Sequence, residues 1–254
     1  MLPRLILLSA LLLSIHHSGS AADPATTADR RLAQARAINL DYVSHMPDFV
    51  ADEKATRYTS NNNGQNWRYS DTIETEVTIK GNSAVRQQIR KDGKPWKQKF
   101  EALPGFKWSG GFGTEIKPLF DPACPTTIEY TEPAESHGKQ LQKFRFSSPA
   151  DGCFAHFYID SSQFNPARMG YALVDDDGHL MELEETADGF PADFEFTRRT
   201  EHVAWDYVKI GDDSHLLPVA ATFEVTYSSG LRTRIEVEYR NHRHFEASSS
   251  VEFH

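Results

Sequence analysis

What is scarce in this sequence narrows its class before any motif is sought. Cysteine occurs twice in 254 residues, at Cys124 and Cys153, so no C-x-x-C redox pair and no cysteine-based zinc motif is present. Long apolar runs are almost missing. The most apolar stretch, Leu5 to Ile15, is about eleven residues, short of the ~20 a bilayer-spanning helix needs. Basic clusters are missing too: 27 Lys and Arg face 36 Asp and Glu, for a formal charge of −9. That balance argues against nucleic acid and against anionic membrane surfaces as partners. There is no G-x-S-x-G elbow, no P-loop and no H-E-x-x-H. No internal repeat, low-complexity tract or interdomain linker interrupts the chain.

The short apolar run has the grammar of an export leader. Arg4 precedes it, and Ser20-Ala21-Ala22 supplies small side chains where a signal peptidase cuts. Residues 1–22 are expected to be a signal peptide and 23–254 a single periplasmic or secreted domain with no transmembrane anchor. No cysteine lies near the cut, which argues against a lipid-modified N-terminus. In an oxidising compartment Cys124 and Cys153 are expected to pair. The competing use, a Cys153/His156 nucleophile, needs a free thiolate that export disfavours.

Periodicity divides the remainder. Leu32, Ala35, Asn39, Tyr42, Val43 and Met46 recur at steps of three and four, which predicts an amphipathic helix over about 27–46, capped by Thr26, Thr27 or Asp29 and stopped by Pro47. From Phe49 the period becomes two. Phe49–Tyr58 reads as a strand, and Trp67, Tyr69, Ile73, Thr75, Val77 and Ile79 share odd positions on a second. Turns at Gly81-Asn82 and Asp92-Gly93 bracket a return strand with Val85 and Ile89. Residues Trp96 to Asp121 follow neither period. They mix Trp96, Phe100, Phe106, Trp108, Phe112 and Phe120 with four glycines and read as loops with a short helix near Thr114–Phe120. Strand patterns resume at Thr126–Tyr130, Gln140–Ser147, Cys153–Asp160, Tyr171–Val174, His179–Glu185, Ala204–Ile210, Leu217–Tyr227 and Arg232–Arg240, with a last short one at Ser249–Phe253. The fold class that emerges is mainly β with an N-terminal helix: a curved antiparallel meander of roughly ten to twelve strands forming a half-open barrel.

Chemistry-bearing residues are few, and each lacks partners. Asp175-Asp176-Asp177-Gly178 misses the alternation of a calcium loop and reads as a hairpin turn. His242 and His244 share a strand face, but no third metal ligand is visible beyond Glu246 or His254. Glu182 and Glu184 alternate with Met181 and Leu183 as a solvated sheet face does, with Glu185 following. No catalytic residue, metal or cofactor is expected.

Four stretches carry a resemblance: "MPDFVADEKATRY" from Met46, "GGFGTEIKPLF" from Gly110, "WDYVKIGDDSHLLPVAATFEV" from Trp205 and "EYRNHRHF" from Glu238. They resemble a group of secreted bacterial proteins of unassigned activity whose layout looks like that of the periplasmic lipoprotein-carrier (lipoprotein-sorting) proteins. Those carriers are half-open barrels with a hydrophobic face for acyl chains. In the group an acidic residue precedes the Phe-Gly of the central loop; here Gly111 stands there. The resemblance implies a binding protein for a lipid, acyl chain or lipopeptide. Trp67, Tyr69, Ile73 and Val77 are the expected lining, covered by Phe106, Trp108 and Phe112. The alternatives are a hydrolase or metal-dependent enzyme with a site dispersed over residues such as His156, His242 and His244, and an envelope structural or interaction protein.

Overall fold

The computed structural model describes residues 24–245 apart from 63, 82, 109–111 and 160–161. The expected leader, Gly111, Glu246, His254 and the expected strand at Ser249–Phe253 lie outside the described residues. Helix α1 (Pro24–His45) starts earlier than the expected caps, on a proline whose missing N–H costs nothing in a first turn. Strands β1 (Phe49–Ser60), β2 (Arg68–Lys80), β3 (Ser83–Lys91) and β4 (Lys94–Pro95) follow. A long crossover bears a 3-10 turn (Phe100–Ala102) and α2 (Ile116–Phe120). Then come β5 (Thr127–Ser136), β6 (Lys139–Ser148), β7 (Phe157–Ile159), β8 (Ser162–Phe164), β9 (Arg168–Val174), β10 (Leu180–Asp188), β11 (Phe196–Ile210), β12 (Asp213–Tyr227) and β13 (Arg232–His244).

Eleven strands form one open antiparallel sheet in the order β4-β3-β2-β1-β13-β12-β11-β10-β9-β6-β5, and β7 and β8 pair apart from it. The meander is written by local turns. Asp92 and Gly93 both take positive φ, the type I′ geometry that suits right-twisted strands. One long-range pairing completes it: β1 lies beside β13, with Ala55 opposite Val237.

One face of the sheet is the core. Ile73, Val77, Ile79, Leu183, Val203, Phe223, Ile235 and Val237 are buried at alternate positions of their strands. Because β4 and β5 are the two sheet edges, the chain between them must cross this inner face. That explains the aromatic content of residues 96–126: Phe100, Leu103, Trp108, Phe112, Ile116, Leu119 and Phe120 are all buried. Helix α1 adds Ala35, Leu32, Leu40, Tyr42 and Val43 to the same core. Asn39 ties the helix to the sheet: its Nδ2 donates to Gly178 O (2.8 Å) and its Oδ1 accepts from Leu180 N (2.9 Å). Gly178 has φ +99°, and a Cβ there would lie 3.2 Å from Gln34 Cγ, so glycine lets the β9–β10 turn tuck under the helix.

Cys124 and Cys153 form a disulfide with Cα atoms 5.6 Å apart. Several local readings change; β5, β9, β12 and β13 each run three to six residues beyond the expected bounds. The strand expected over Cys153–Asp160 shrinks to β7, because Asn165 Nδ2 takes the carbonyls of Gly152 (2.9 Å) and Phe154 (3.0 Å) out of any ladder. The strand expected from Ala204 begins at Phe196. Of the expected solvated row only Glu184 is exposed: Glu182 is buried and bonds Ser136 and His202 (3.1 Å), and Glu185 is fully buried on the inner face.

Candidate binding cleft

The crossover is held down by charged residues at core positions of β1. Glu53 is buried among Ala51, Ala55 and Val77. Its Oε1 accepts from Trp108 Nε1 (2.8 Å) and Arg86 Nη2 (2.8 Å), and its Oε2 from Arg86 Nε (2.6 Å) and Thr75 Oγ1 (2.9 Å). The Arg86 guanidinium lies over the rings of Phe100 (4.5 Å) and Trp108 (5.5 Å). Arg57 forks onto Asp71 (2.6 and 2.7 Å) and donates to Pro104 O (2.7 Å). Burial opposes the Asp71 charge, but Arg57 and Lys91 outweigh it and hold the carboxyl below the usual range.

A second charged cluster lies across the inner face. Glu201 on β11 stands opposite Glu185 on β10. Arg199 donates to Glu185 Oε1 (3.0 Å) and to Glu201, and Arg168 donates to Glu185 Oε1 (2.7 Å) and Ala155 O (2.6 Å). Rings lie against these cations: Phe154 and Phe157 over Arg168 (4.8 and 5.2 Å), Phe157 and Phe223 over Arg199 (5.4 and 5.7 Å). Glu115 enters from the turn before α2 and is buried. Burial, then the Glu185 charge, raises its carboxyl above the ordinary value. Burial pushes Glu201 up to about 8 against the pull of Arg199.

Between crossover and sheet the cluster opens into a cleft of about 670 Å³ lined by Phe106, Trp108, Phe157, Phe196 and Tyr227, with Glu115, Arg168 and Arg199 at its polar side. The aromatic wall continues outward. Phe196 meets Phe106 (5.9 Å), Tyr227 (5.3 Å) and Phe190 (6.3 Å), and Phe190 meets Phe157 (5.1 Å) and Phe164 (5.9 Å). Phe106, Phe157, Phe164, Phe190 and Phe196 are all partly exposed.

The residues expected to line one pocket are divided by the structure. Phe106 and Trp108 line the cleft. Trp108 and Phe112 also border a smaller hollow of about 430 Å³ beside β3. Ile73 and Val77 lie fully buried in the packed core. Trp67 and Tyr69 do not share their face. A bulge between Asp71 and Tyr69, opposite Arg57 and Tyr58, inserts one residue and turns the strand end over. Tyr69 is consequently 57% exposed and bonds Asp92 Oδ1 (2.7 Å), and Trp67 lies under Arg234 (4.2 Å). His242 bonds Pro218 O (3.1 Å) and packs on Phe49, while His244 meets His215. His156 itself lines the cleft, with Phe157 and Arg168. Among the described residues, no group of three or more His, Cys, Asp or Glu is arranged to hold a metal. Glu115, Arg168, Phe196, Arg199 and Glu201 stand out by no motif in the sequence, and Glu185 stands out only as the residue following Glu182 and Glu184. The signal for three of them was charge at core parity: Arg199 and Glu201 share odd positions with Val203 and Trp205, and Glu185 with Leu183.

No helix among the described residues is long and apolar enough to cross a membrane. The sequence matches no family model and no curated protein. In layout the chain is similar to the crystal structure of a LolA superfamily protein from Nitrosomonas europaea, at 8% identity and a TM-score of 0.32, covering 87% of this chain and 94% of that one. It is likewise similar to a DUF1329 family protein from Desulfovibrio piger, at 11% identity and a TM-score of 0.37, covering 87% of this chain and 95% of that one.

Proposed function

We propose that this chain is an exported, non-catalytic binding protein that shelters the apolar part of a lipid, acyl chain or lipopeptide in the cleft beneath the crossover. The observation that carries the reading is the cleft itself: about 670 Å³, with Phe106, Trp108, Phe157, Phe196 and Tyr227 as its apolar wall beside the charged side of Lys107, Glu115, Arg168, Glu195 and Arg199. Sites for small ligands fall at roughly 300–1,000 Å³ with a mainly apolar wall and few polar groups. Each methylene transferred from water to such a wall contributes about 0.8 kcal/mol. The partly exposed aromatic row beside the cleft gives a chain a continuous apolar path outward. Export follows from the leader pattern, and α1 begins at Pro24, two residues past the expected cut after Ala22. N-terminal sequencing of exported protein should read from Asp23; a retained Met1 would contradict export by cleavage.

Titration with long-chain fatty acids and lysolipids should shift Trp108 fluorescence saturably, with Trp108→Phe identifying the signal. Phe196→Ala should weaken binding about tenfold, the worth of ~1.5 kcal/mol of lost ring contact. Unchanged fluorescence and unchanged melting with every lipid would overturn the reading. A second reading, a hydrolase with Glu115 as general acid, draws on the weakened acidity of Glu115 and Glu201, whose carboxyls burial raises above the ordinary value. Ester or glycoside hydrolysis abolished by Glu115→Gln would favour it.

A further inference from the structure

We propose that the polar side of the cleft receives an ammonium group, so that the ligand is an amphiphile with a primary-amine head seated on the Glu115 carboxyl. The inference rests on the cleft being the ligand site and adds the chemistry of the head group.

Three features of the geometry lead there. First, the buried cluster is one positive charge short. Glu115, Glu185 and Glu201 face two guanidiniums, and both of these are committed to Glu185 and Glu201. Second, Glu115 lines the cleft with its Oε2 buried and without a hydrogen-bond partner, and Glu185 Oε2 is in the same condition. Unpaired buried acceptors of this kind are rare and costly, and an N–H donor entering the cleft relieves the one on Glu115. The unpartnered donor in the cluster, Arg168 Nε, is satisfied by a neutral carbonyl or hydroxyl of the ligand, which adds no negative charge. Third, the lining is rich in aromatic rings, Phe106, Phe157, Phe196 and Tyr227, a group whose faces attract cations, as Phe157 already does for Arg168 and Arg199.

The remaining charged and titratable groups around Glu115 do not change this balance. Lys107 and Glu195 border the cleft with opposite signs, beside His156 and Tyr227. Lys107 Nζ is engaged by the carbonyls of Leu103 (3.2 Å) and Gly105 (3.4 Å). Tyr239, beside Glu53 and within reach of the Glu201 charge, is raised well above its ordinary value by burial and stays neutral. Without ligand, the trio keeps a proton near neutrality, because burial raises both Glu115 and Glu201. An arriving ammonium supplies the missing charge and the displaced proton leaves to solvent.

The test is calorimetry at pH 7 with dodecylamine, dodecanoate and dodecyl maltoside, each run in phosphate and in Tris. The difference between buffers counts protons exchanged on binding. Dodecylamine should release about one proton per chain, and the other probes should release none and bind about tenfold more weakly. Glu115→Gln should erase the amine preference and the proton release while Phe196→Ala weakens all three probes. If Glu115→Gln does not fold, the proton count on the unaltered protein still decides. Equal or tighter binding of dodecanoate, or amine binding without proton release, overturns the ammonium site and leaves the amphiphile reading standing. Failure of all three probes to bind overturns both.

Discussion

Glu53 shows how one side chain sets the position of a whole loop. It sits in the core row of β1, where Phe49, Ala51 and Ala55 are apolar, and satisfies the Trp108 indole, the Arg86 guanidinium and the Thr75 hydroxyl. Its side chain is fully buried and that of Arg86 is 5% exposed, so removing the acid strands a buried cation. Glu53→Ala should cost about 3–5 kcal/mol in urea unfolding and expose Trp108, read as a red-shifted emission. Loss below about 1 kcal/mol, the range of surface pairs, would contradict this account of the crossover. Glu201 makes a pH prediction of definite sign. Its carboxyl titrates at about 8 in the folded protein against an ordinary 4.5, so the folded state binds the extra proton between those values. The stabilisation is complete below about 4.5 and is lost as pH rises towards about 8. Melting temperature should therefore fall over that window, and Glu201→Gln should flatten the fall. These residues were visible in the sequence only as exceptions. Glu53, Arg57, Glu185, Arg199 and Glu201 break the apolar rule at positions whose neighbours obey it, and a period-two count alone reads such residues as noise.

Among the elements, β11 was half legible. Its second part, Ala204–Ile210, is marked as strand by Trp205, Tyr207, Val208 and Ile210; its first part, Phe196–Val203, alternates in burial but reads as polar because Arg199 and Glu201 point inward with their charges paired. The site therefore lies in the segment where strand signal was weakest. The bulge at the start of β2 had a similar effect in the other direction, giving Trp67 and Tyr69 an apparent place on the inner face. Neither pairing partners nor bulges are encoded in the spacing of one strand. The β9–β10 pair rests on Gly170: a Cβ there would lie 1.8 Å from Glu184 O, inside the backbone of the neighbouring strand. Gly170→Ala should destabilise by at least about 1–3 kcal/mol, measured by thermal melting, and should weaken cleft binding because Glu185 follows on that strand. Wild-type stability in this variant would show that the two strands are less closely apposed. The disulfide joins the approach to β5 to the loop that carries Phe154 against Arg168. Its loop of 29 residues corresponds to about 3–4 kcal/mol in the chain-entropy account. Unreduced, denatured protein should show no free thiol, and reduction should lower the melting temperature.

At the scale of the molecule, the turns spell out the meander, and the N-terminal helix and short second helix were both visible as local patterns. Two features had no local signal. The first is that β1 pairs with β13, which sets the first and last described strands side by side inside the sheet. The second is that the segment after β4 has to travel from one edge strand to the other across the inner face. The open sheet thus encloses a core without closing into a barrel, and the cleft is the space the crossover leaves uncovered beside the starts of β9 and β11 and the end of β12. The central claim is that this cleft, rather than the outer face, holds an apolar chain. The most direct measurement is photocrosslinking with a long-chain amphiphile carrying a diazirine at the chain end, followed by peptide mapping. The account predicts label on peptides containing Phe106, Phe157 and Phe196, competed away by unlabelled amphiphile; label centred on Trp67 and Tyr69 of the outer face, or label that competitor does not displace, would contradict it.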